Sequence, residues 1–303
     1  MPSSGEQAWV RFVTLGAIAL LAIVIGIAPV LAPRGEPVDG FTEAATAHVA
    51  EIAQAPHPMG SAENERVRSY LLGTLSEIGL LPETQSVEAP DYFGAPGGII
   101  EVVNVLVRIE GTAGTDDAIL LMAHYDTVDT TAGANDNSAA VAGLLEVARD
   151  LTVSTGPHDV IVLFTDGEEP TPRFGATAFV DQHPWASDVR LVANFEGIGE
   201  AGPGLLVELQ GPADEMVAML GADVFRPVAF SFLTETADLI GGAASDMDVF
   251  HERGTPGYNL AFLRGSSIYH TMRDDIASLN TSGMAHNGAY AAAIARMDDL
   301  PPT

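Results

Sequence analysis

Four runs of apolar and β-branched residues, each of strand length, limit most strongly how this chain can fold. They are Ile99–Ile109, Ala118–Ala123, Val160–Phe164 and Leu191–Phe195. The last three lack a strict alternation of polar and apolar residues, which is typical of central strands covered by helices on both faces. The pattern predicts an α/β fold with three layers, α/β/α, around a mixed, mostly parallel sheet.

Helical patterns stand before, between and after these runs, so that helix and strand alternate. Residues 42–53 and 63–80 precede the sheet, Ser138–Leu151 and Gly175–Gln182 lie between strands, and Met284–Met297 closes the chain. At 303 residues the sequence is long enough for one large α/β domain with additions. We expect residues 41–303 to form that domain and residues 34–40 to be a linker.

The N-terminal segment Phe12–Pro33 carries no charged residue over 22 positions. A helix of that length, rising about 1.5 Å per residue, crosses a hydrocarbon core of about 30 Å. The segment predicts a single transmembrane anchor behind a flank of residues 1–11, with the large domain outside the cytoplasm. A cleaved signal peptide, which would make the protein secreted, is the alternative. Arg11 and Arg34 flank the segment on both sides, so the positive-inside rule does not decide the orientation.

Composition excludes two kinds of binding. The chain has 41 acidic residues against 13 basic ones, a formal net charge of -28. A surface this acidic repels phosphate backbones, so we expect no nucleic-acid partner. Because there is no cysteine, any metal must be bound by histidine and carboxylate side chains.

Chemically reactive side chains follow the predicted strands at the points where the strands end. His124 comes directly after Ala118–Ala123, and Asp126 lies two residues further on. A carboxylate at that distance can fix the orientation of a metal-binding imidazole. Asp136 stands in the loop before a predicted helix, where it either caps that helix or points into the same crevice as His124.

Further carboxylates and a second histidine follow the later strands. Glu168 and Glu169 come after the third run, Glu196 follows the fourth, and His270 lies in a loop before the closing helix. The carboxyl ends of parallel strands meet at one edge of a sheet, where ligands of such folds bind. Two histidines with several carboxylates at that edge suit two divalent ions about 3.5–4 Å apart.

Five segments of the chain, taken in order, resemble metallopeptidase family 28, the two-zinc aminopeptidases. They are AHYDTV, GANDNSAAVAGLLEVARDL, VLFTDGEE, ANFEGIG and YHTMRDD. The resemblance extends from about Ala55 to the C-terminus. The phrases PHPMGSAENERVRSYL, SDMDVF and GTPGYNLAF are most similar to the membrane peptidases of the endoplasmic reticulum and the vacuole. The resemblance implies two Zn²⁺ ions per chain and a peptide substrate with a free N-terminus.

The resemblance also implies a role for each of the metal-binding side chains. Asp136 would bridge the two zinc ions. His124 and Glu196 would bind one of them, and Glu169 and His270 would bind the other. The family often has Asp at the position of Glu196, whereas the membrane branch uses Glu.

Two residues would act beside the ligands, Glu168 as the general base and Asp126 as the residue that orients His124. The segment Pro170–Phe174 differs from the family, which commonly has a Leu-Gly-Leu-Leu-Gly type sequence after the paired glutamates. Because this segment contains two prolines, the chain cannot begin a regular helix directly after Glu169. We expect a local bulge there.

Three other functions are compatible with a fold of this kind. A glutaminyl cyclase would use a similar fold with one zinc, a carboxypeptidase or dipeptidase of the same clan would act on other peptide ends, and a non-catalytic binding domain would have lost ligands. No expected ligand is missing here.

Of the remaining histidines, His57 is expected at the rim of the site, and the others are expected at the surface or at helix caps. These others are His48, His158, His183, His251 and His286.

Overall fold

The computed structural model describes residues 14–17, 37–94, 97–170, 172–224, 227–229 and 245–302. The predicted anchor, Phe12–Pro33, lies outside these residues except for a helical piece at residues 14–17. Within the described part, no helix combines the length and the apolar character that crossing a membrane requires. Residues Arg34–Thr303 form one unit by their internal contacts.

Seven strands form a single sheet in the described part of the chain. They are β1 (Glu83–Pro90), β2 (Ile99–Ile109), β3 (Ala118–His124), β4 (Asp159–Thr165), β5 (Val189–Gly197), β6 (Leu205–Gln210) and β7 (Gly257–Phe262). Their order is β1-β2-β4-β3-β5-β7-β6. The predicted mixed sheet is confirmed, but only the four strands β4, β3, β5 and β7 run parallel. β1, β2 and β6 pair in antiparallel fashion, so the sheet is less parallel than predicted.

Besides the helical piece at residues 14–17, the described residues contain seven α-helices. They are α1 (Phe41–Ile52), α2 (Ala62–Glu77), α3 (Ala140–Leu151), α4 (Phe174–Gln182), α5 (Ala213–Asp223), α6 (Met247–His251) and α7 (Thr281–Ile294). A π-helical turn at Ala134–Ala139 leads into α3, and 3₁₀ turns lie at Pro184–Asp188, Ser266–Ile268 and Ile276–Ser278. α4 begins only at Phe174, because the two prolines before it prevent an earlier start.

The sheet is covered on both faces, which confirms the predicted three layers. Successive residues of β3 point to opposite faces. Leu121 belongs to the larger core, which includes side chains of α1, α2, α3 and α7. Leu120 belongs to the second core, where Phe179 of α4 and Phe250 of α6 cover the other face. All residues of β3 and β4 are buried, in agreement with their uninterrupted apolar character.

Three strands, β1, β6 and β7, and two helices, α5 and α6, were not predicted from the sequence. The edge strand β1 has the sequence ETQSVEAP, and most of its side chains are exposed or half-buried, so it has no apolar run to detect. β6 and β7 have six residues each, and the polar residues Glu208 and Asn259 interrupt their apolar sequences. The closing helix α7 begins at Thr281, before the predicted Met284, because the side chain of Asn280 accepts a hydrogen bond from Gly283 N at 3.0 Å and caps it.

A close helix–helix contact offers a test of this packing. Gly288 of α7 lies against the buried ring of Phe41, and a Cβ at Gly288 would lie 2.2 Å from Phe41 Cζ. We expect G288A to lower the free energy of unfolding by about 1–3 kcal/mol, because the ring has no space to move into. Urea denaturation of the chain measures this change.

The matched control is G73A in the exposed face of α2, where an added Cβ has no neighbour within 4 Å. This substitution should raise the free energy of unfolding by about 0.5–1 kcal/mol through helix propensity alone. Equal effects of the two substitutions would contradict the tight contact between α1 and α7.

Candidate metal centre

The carboxyl ends of three parallel strands bring the candidate ligands to one edge of the sheet. His124 is the last residue of β3, and Glu196 lies one residue before the end of the neighbouring strand β5. Glu168 and Glu169 follow β4, whose Thr165 pairs with His124. The two remaining ligands lie outside the strands. Asp136 is in the turn Ala134–Ala139, where its own φ and ψ are non-helical, and His270 is in a loop. Strand register therefore places part of the centre and loop structure places the rest.

The first group of ligand atoms surrounds the imidazole of His124. Its Nε2 atom lies 3.3 Å from Asp136 Oδ1 and 3.4 Å from Glu196 Oε2. All three residues are buried. Their ligand atoms lie within 4.8 Å of one another, a spacing at which one ion can contact all three.

The second group surrounds the imidazole of His270. Its Nε2 atom lies 3.4 Å from Asp136 Oδ2 and 2.6 Å from Glu169 Oε1. Glu169 is buried, whereas the His270 side chain is 30% exposed. Asp136 thus belongs to both groups, with one carboxylate oxygen directed to each histidine.

These distances fit a pair of divalent ions. Two ligand atoms that each lie about 2.0–2.1 Å from a tetrahedral zinc are about 3.4 Å apart. Three of the four histidine–carboxylate distances, 3.3, 3.4 and 3.4 Å, have this value. The second oxygen of Glu169, Oε2, is buried and accepts no hydrogen bond among the described residues. Histidine and carboxylate ligands without thiolates are a donor set that zinc accepts.

Asparagine side chains hold the Glu196 carboxylate. Its Oε1 atom accepts a hydrogen bond from Asn194 Nδ2 at 2.9 Å, and Oε2 accepts one from Asn137 Nδ2 at 3.1 Å. The end of β5 lies directly against the Asp136 loop, since a Cβ at Gly197 would be 2.0 Å from Asn135 O. Only glycine at this position allows Glu196 and Asp136 to approach one another.

The Asp126 carboxylate lies closer to the backbone of Glu168 and Glu169 than to the ring of His124. Its carboxylate accepts hydrogen bonds from the backbone N–H groups of Glu168 at 3.1 Å and Glu169 at 3.0 Å. His124 Nδ1 lies 3.0 Å from the backbone oxygen of Asp126 but 3.7 Å from its carboxylate. The backbone of Asp126 is therefore placed to orient the imidazole, while the side chain fixes the direction of the two glutamates.

Glu168 is buried beside both ligand groups that contain Asp136, but it is a member of neither. Its ligand atom lies within 4.8 Å of those of His124 and Glu169. Burial raises its pKa well above the ordinary value, and the charges of Glu196, Asp246 and Glu169 raise it further, while His124 lowers it. Geometry alone allows this carboxylate to be either a base beside the ions or an additional ligand.

The electrostatics of the centre favour positive charge between the carboxylates. Burial lowers the pKa of His270, but hydrogen bonds to Asp136 and Glu169 outweigh burial and raise this pKa to about 9. Burial likewise opposes the charge on Asp136, yet its hydrogen bonds to His124 and His270 lower its pKa to about 2. A bound cation would satisfy the same carboxylates that here stabilise protonated imidazoles.

Several supporting residues were not among those singled out from the sequence. Asn137 and Asn194 give no chemical signal in a sequence, because amides occur throughout loops and strands. Asp274 follows His270 by four residues, but the sequence alone does not show that its side chain contacts the segment that carries Asp136. Asp246 is buried and accepts a hydrogen bond from Thr165 Oγ1 at 2.5 Å. Only the tertiary structure brings these residues to the centre.

Two histidines expected at the surface are buried instead. His48 Nε2 lies 2.8 Å from Glu146 Oε1, so a carboxylate from α3 makes its burial tolerable. His286 is buried in α7, with its ring centroid 4.6 Å from that of Tyr290. His183, in contrast, caps the 3₁₀ turn that follows it, in agreement with the prediction.

The fold and the site together define a class of protein. Two histidine–carboxylate groups that share one carboxylate, at the carboxyl ends of parallel strands in a three-layer α/β/α fold, are the arrangement of a metal-dependent hydrolase. The chain belongs to peptidase family M28, since the family model described as "Peptidase family M28" matches residues 104–295. The predicted family is confirmed, and the matched range contains all seven residues singled out for the site.

Curated relatives agree with the predicted branch of the family. The chain is 31% identical over 245 residues to the vacuolar membrane protease of Candida dubliniensis and 32% identical over 266 residues to that of Schizosaccharomyces japonicus. Each comparison covers 78% of this chain, but only 26% and 29% of the two relatives. The chain therefore spans less than a third of the length of these relatives.

Solved structures share the fold at low sequence identity. A glutaminyl cyclase from Fimbriiglobus ruber matches with a TM-score of 0.68 and 14% identity, over 88% of this chain and 98% of that one. BSAP, a zinc aminopeptidase from Bacillus subtilis, matches with a TM-score of 0.67 and 14% identity, over 84% of this chain and 94% of that one. Both similarities concern the fold.

His57 lies buried beside the loop that follows His124. Its backbone N–H donates a hydrogen bond to Thr127 Oγ1 at 2.9 Å, and its ring Nδ1 lies 2.8 Å from Ala55 O. Burial lowers its pKa to about 4 from a model-peptide value of 6.5. The folded protein therefore keeps this imidazole neutral under conditions in which the unfolded chain protonates it.

This shift predicts a pH dependence of stability. Between about pH 6.5 and pH 4 the unfolded chain binds a proton at His57 that the folded chain does not, so acidification through this range destabilises the fold. The loss attributable to His57 should reach roughly 3 kcal/mol by pH 4. We expect H57Q to lose less stability than wild type over this range in urea denaturation at several pH values. H158Q, which alters a half-buried histidine outside the metal centre, is the control, and identical pH profiles for H57Q and wild type would refute the prediction.

Proposed function

We propose that this chain is a two-zinc aminopeptidase that removes N-terminal residues from peptides. In this proposal Asp136 would be shared by the two ions. His124 and Glu196 would complete the ligands of one ion, and Glu169 and His270 would complete those of the other.

The observation that carries the proposal is the position of the Asp136 carboxylate. Its two oxygens face two different imidazoles, at 3.3 Å from His124 Nε2 and 3.4 Å from His270 Nε2. A carboxylate shared in this way supports two ions side by side. It argues against a site for a single ion and against a binding domain that has lost its ligands.

The residues of the chain divide the work of hydrolysis. When bound, two zinc ions would supply Lewis-acid polarisation of the scissile carbonyl and acidification of a water molecule. Glu168 takes the proton of the attacking water and then delivers it to the leaving amine. Asp126 keeps Glu168 in place through the hydrogen bond from the Glu168 N–H at 3.1 Å.

The proposed preference for a free N-terminus rests on charge. A peptide N-terminus is a cation, and the buried carboxylates at the strand ends attract a cation that enters the site. The relatives are named proteases and the structural neighbour BSAP is named a zinc aminopeptidase, and both names agree with the proposal of a peptide substrate.

We also propose that the protein is associated with a membrane. The relatives are named vacuolar membrane proteases. The segment Phe12–Pro33 has the length and the uncharged character of an anchor. In this proposal the anchor is single-pass and holds the catalytic domain outside the cytoplasm.

Replacing Glu168 separates its two conceivable roles. E168Q removes the base but keeps the shape of the side chain, so turnover of an amino-acid anilide should fall on the order of 10²–10⁴-fold. The zinc content of the purified protein, measured by elemental analysis, should remain that of wild type. Near-normal turnover would remove Glu168 from the base role, and loss of zinc together with turnover would make it a ligand. E252Q, a change in the turn after α6, is the control for charge.

The second test concerns the metal and the end of the peptide that is attacked. We expect hydrolysis of peptides with a free N-terminus, no hydrolysis of the same peptides after N-acetylation, loss of activity in a chelator and recovery on addition of zinc. Activity that persists in chelator would exclude the metal mechanism. Cleavage of acetylated peptides would favour a carboxypeptidase or an endopeptidase, and cyclisation of N-terminal glutamine without peptide cleavage would favour a glutaminyl cyclase.

A further inference from the structure

We propose that Asp274 is a positioning residue that sets the zinc affinity of the second ligand group, the one containing His270. It does so by joining the loop that carries His270 to the loop that carries Asp136. The inference rests on the proposed two-zinc function and concerns a residue that is not itself a ligand.

The Asp274 carboxylate binds the backbone and side chain of the Asp136 loop. Asp274 is buried, with 1% of its surface exposed. Its Oδ1 atom accepts hydrogen bonds from Asn135 N at 2.8 Å and from Asn135 Nδ2 at 2.9 Å. Its Oδ2 atom accepts one from Asp136 N at 3.0 Å. Both oxygens are therefore engaged by two consecutive residues, of which the second supplies the shared carboxylate.

The backbone around Asp274 adds further links between the same two loops. Asp274 O accepts hydrogen bonds from Thr131 Oγ1 at 3.2 Å and from Ala134 N at 3.4 Å. Thr130 Oγ1 donates to His270 O at 3.2 Å. These contacts place His270 relative to Asp136 without any regular secondary structure shared by the two segments.

The two ligand groups differ in what holds them. His124 and Glu196 stand at the ends of adjacent strands, β3 and β5, whose backbone hydrogen bonds fix their spacing. His270 lies outside strand and helix, its side chain is 30% exposed, and its φ is 55°. Its distance to Asp136 depends on the loop-to-loop hydrogen bonds, in which Asp274 is the central acceptor.

Substitution by asparagine disturbs this arrangement with little change in shape. An asparagine at position 274 has one carbonyl oxygen and one NH₂ group, whereas the three donors of Asn135 and Asp136 require two acceptor oxygens. One backbone N–H then faces another donor, and the Asp136 loop shifts relative to His270. The affinity for the second ion should fall about 10–100-fold, as for other losses of groups that orient metal ligands. The first group also contains Asp136, but its other two ligands, His124 and Glu196, are held by strands, so its affinity should fall less.

The test is a zinc titration of the full chain against a competing chelator, with the number of bound ions and each affinity measured at equilibrium. Wild type should bind two ions. D274N should bind the second ion 10–100-fold more weakly and should weaken the first ion clearly less. D275N is the matched control, since Asp275 is exposed and its Oδ1 accepts only a local hydrogen bond from Ala277 N at 2.9 Å; it should bind both ions as wild type does.

A milder variant keeps the proposal testable if D274N does not fold. T131V removes the hydrogen bond that Asp274 O accepts from Thr131 Oγ1, together with the one that Thr131 Oγ1 accepts from Gly133 N, and should weaken the second ion several-fold and the first ion less. Wild-type affinities for both ions in D274N or, if it is unfolded, in T131V would overturn the role of Asp274, as would equal weakening of both ions. A wild-type protein that binds fewer than two ions would instead refute the two-zinc function, so the two failures are distinguishable.

Discussion

The Asp136 carboxylate between two imidazoles is the interaction on which the rest of the centre depends. A buried carboxylate is stable only where positive charge or hydrogen-bond donors compensate for lost solvation. Here the two histidines do so, and they lower the pKa of Asp136 to about 2 in spite of burial. In the proposed function the same arrangement would let one carboxylate serve two ions. Apart from Glu168, every other side chain of the centre either completes one of the two groups or holds a ligand in its direction.

The layered fold supplies the rigidity that such a centre needs. β3, β4, β5 and β7 are parallel and covered by helices on both faces, so the carboxyl ends of these strands cannot move independently. This framework positions His124, Glu196 and the Glu168–Glu169 pair. Asp136 and His270 come from loops, and their positions depend on hydrogen bonds to particular side chains, such as those of Asp274. The centre therefore combines a half held by the sheet with a half held by loops.

The fold alone does not choose between the functions found among its relatives. A glutaminyl cyclase and a zinc aminopeptidase match this chain about equally well, with TM-scores of 0.68 and 0.67. In the proposed function, peptide hydrolysis is favoured by the two histidine–carboxylate groups that share Asp136, with the buried Glu168 beside them. The segment Pro170–Phe174 follows Glu169 directly and delays the start of α4 until Phe174.

The sequence by itself determined the central strands, the helices next to them and the family, because these depend on local patterns of apolar residues and on reactive residues directly after strands. It also indicated which side chains converge, since parallel strands end at one edge of the sheet. The tertiary structure decided those features of the fold and the site that local sequence patterns do not contain. The polar edge strand β1 exists because β2 offers a partner, and Asp126 turns its carboxylate to the N–H groups of Glu168 and Glu169. The roles of Asp274 and Asn194 likewise arise from contacts between segments far apart in the chain, which no short stretch of sequence encodes.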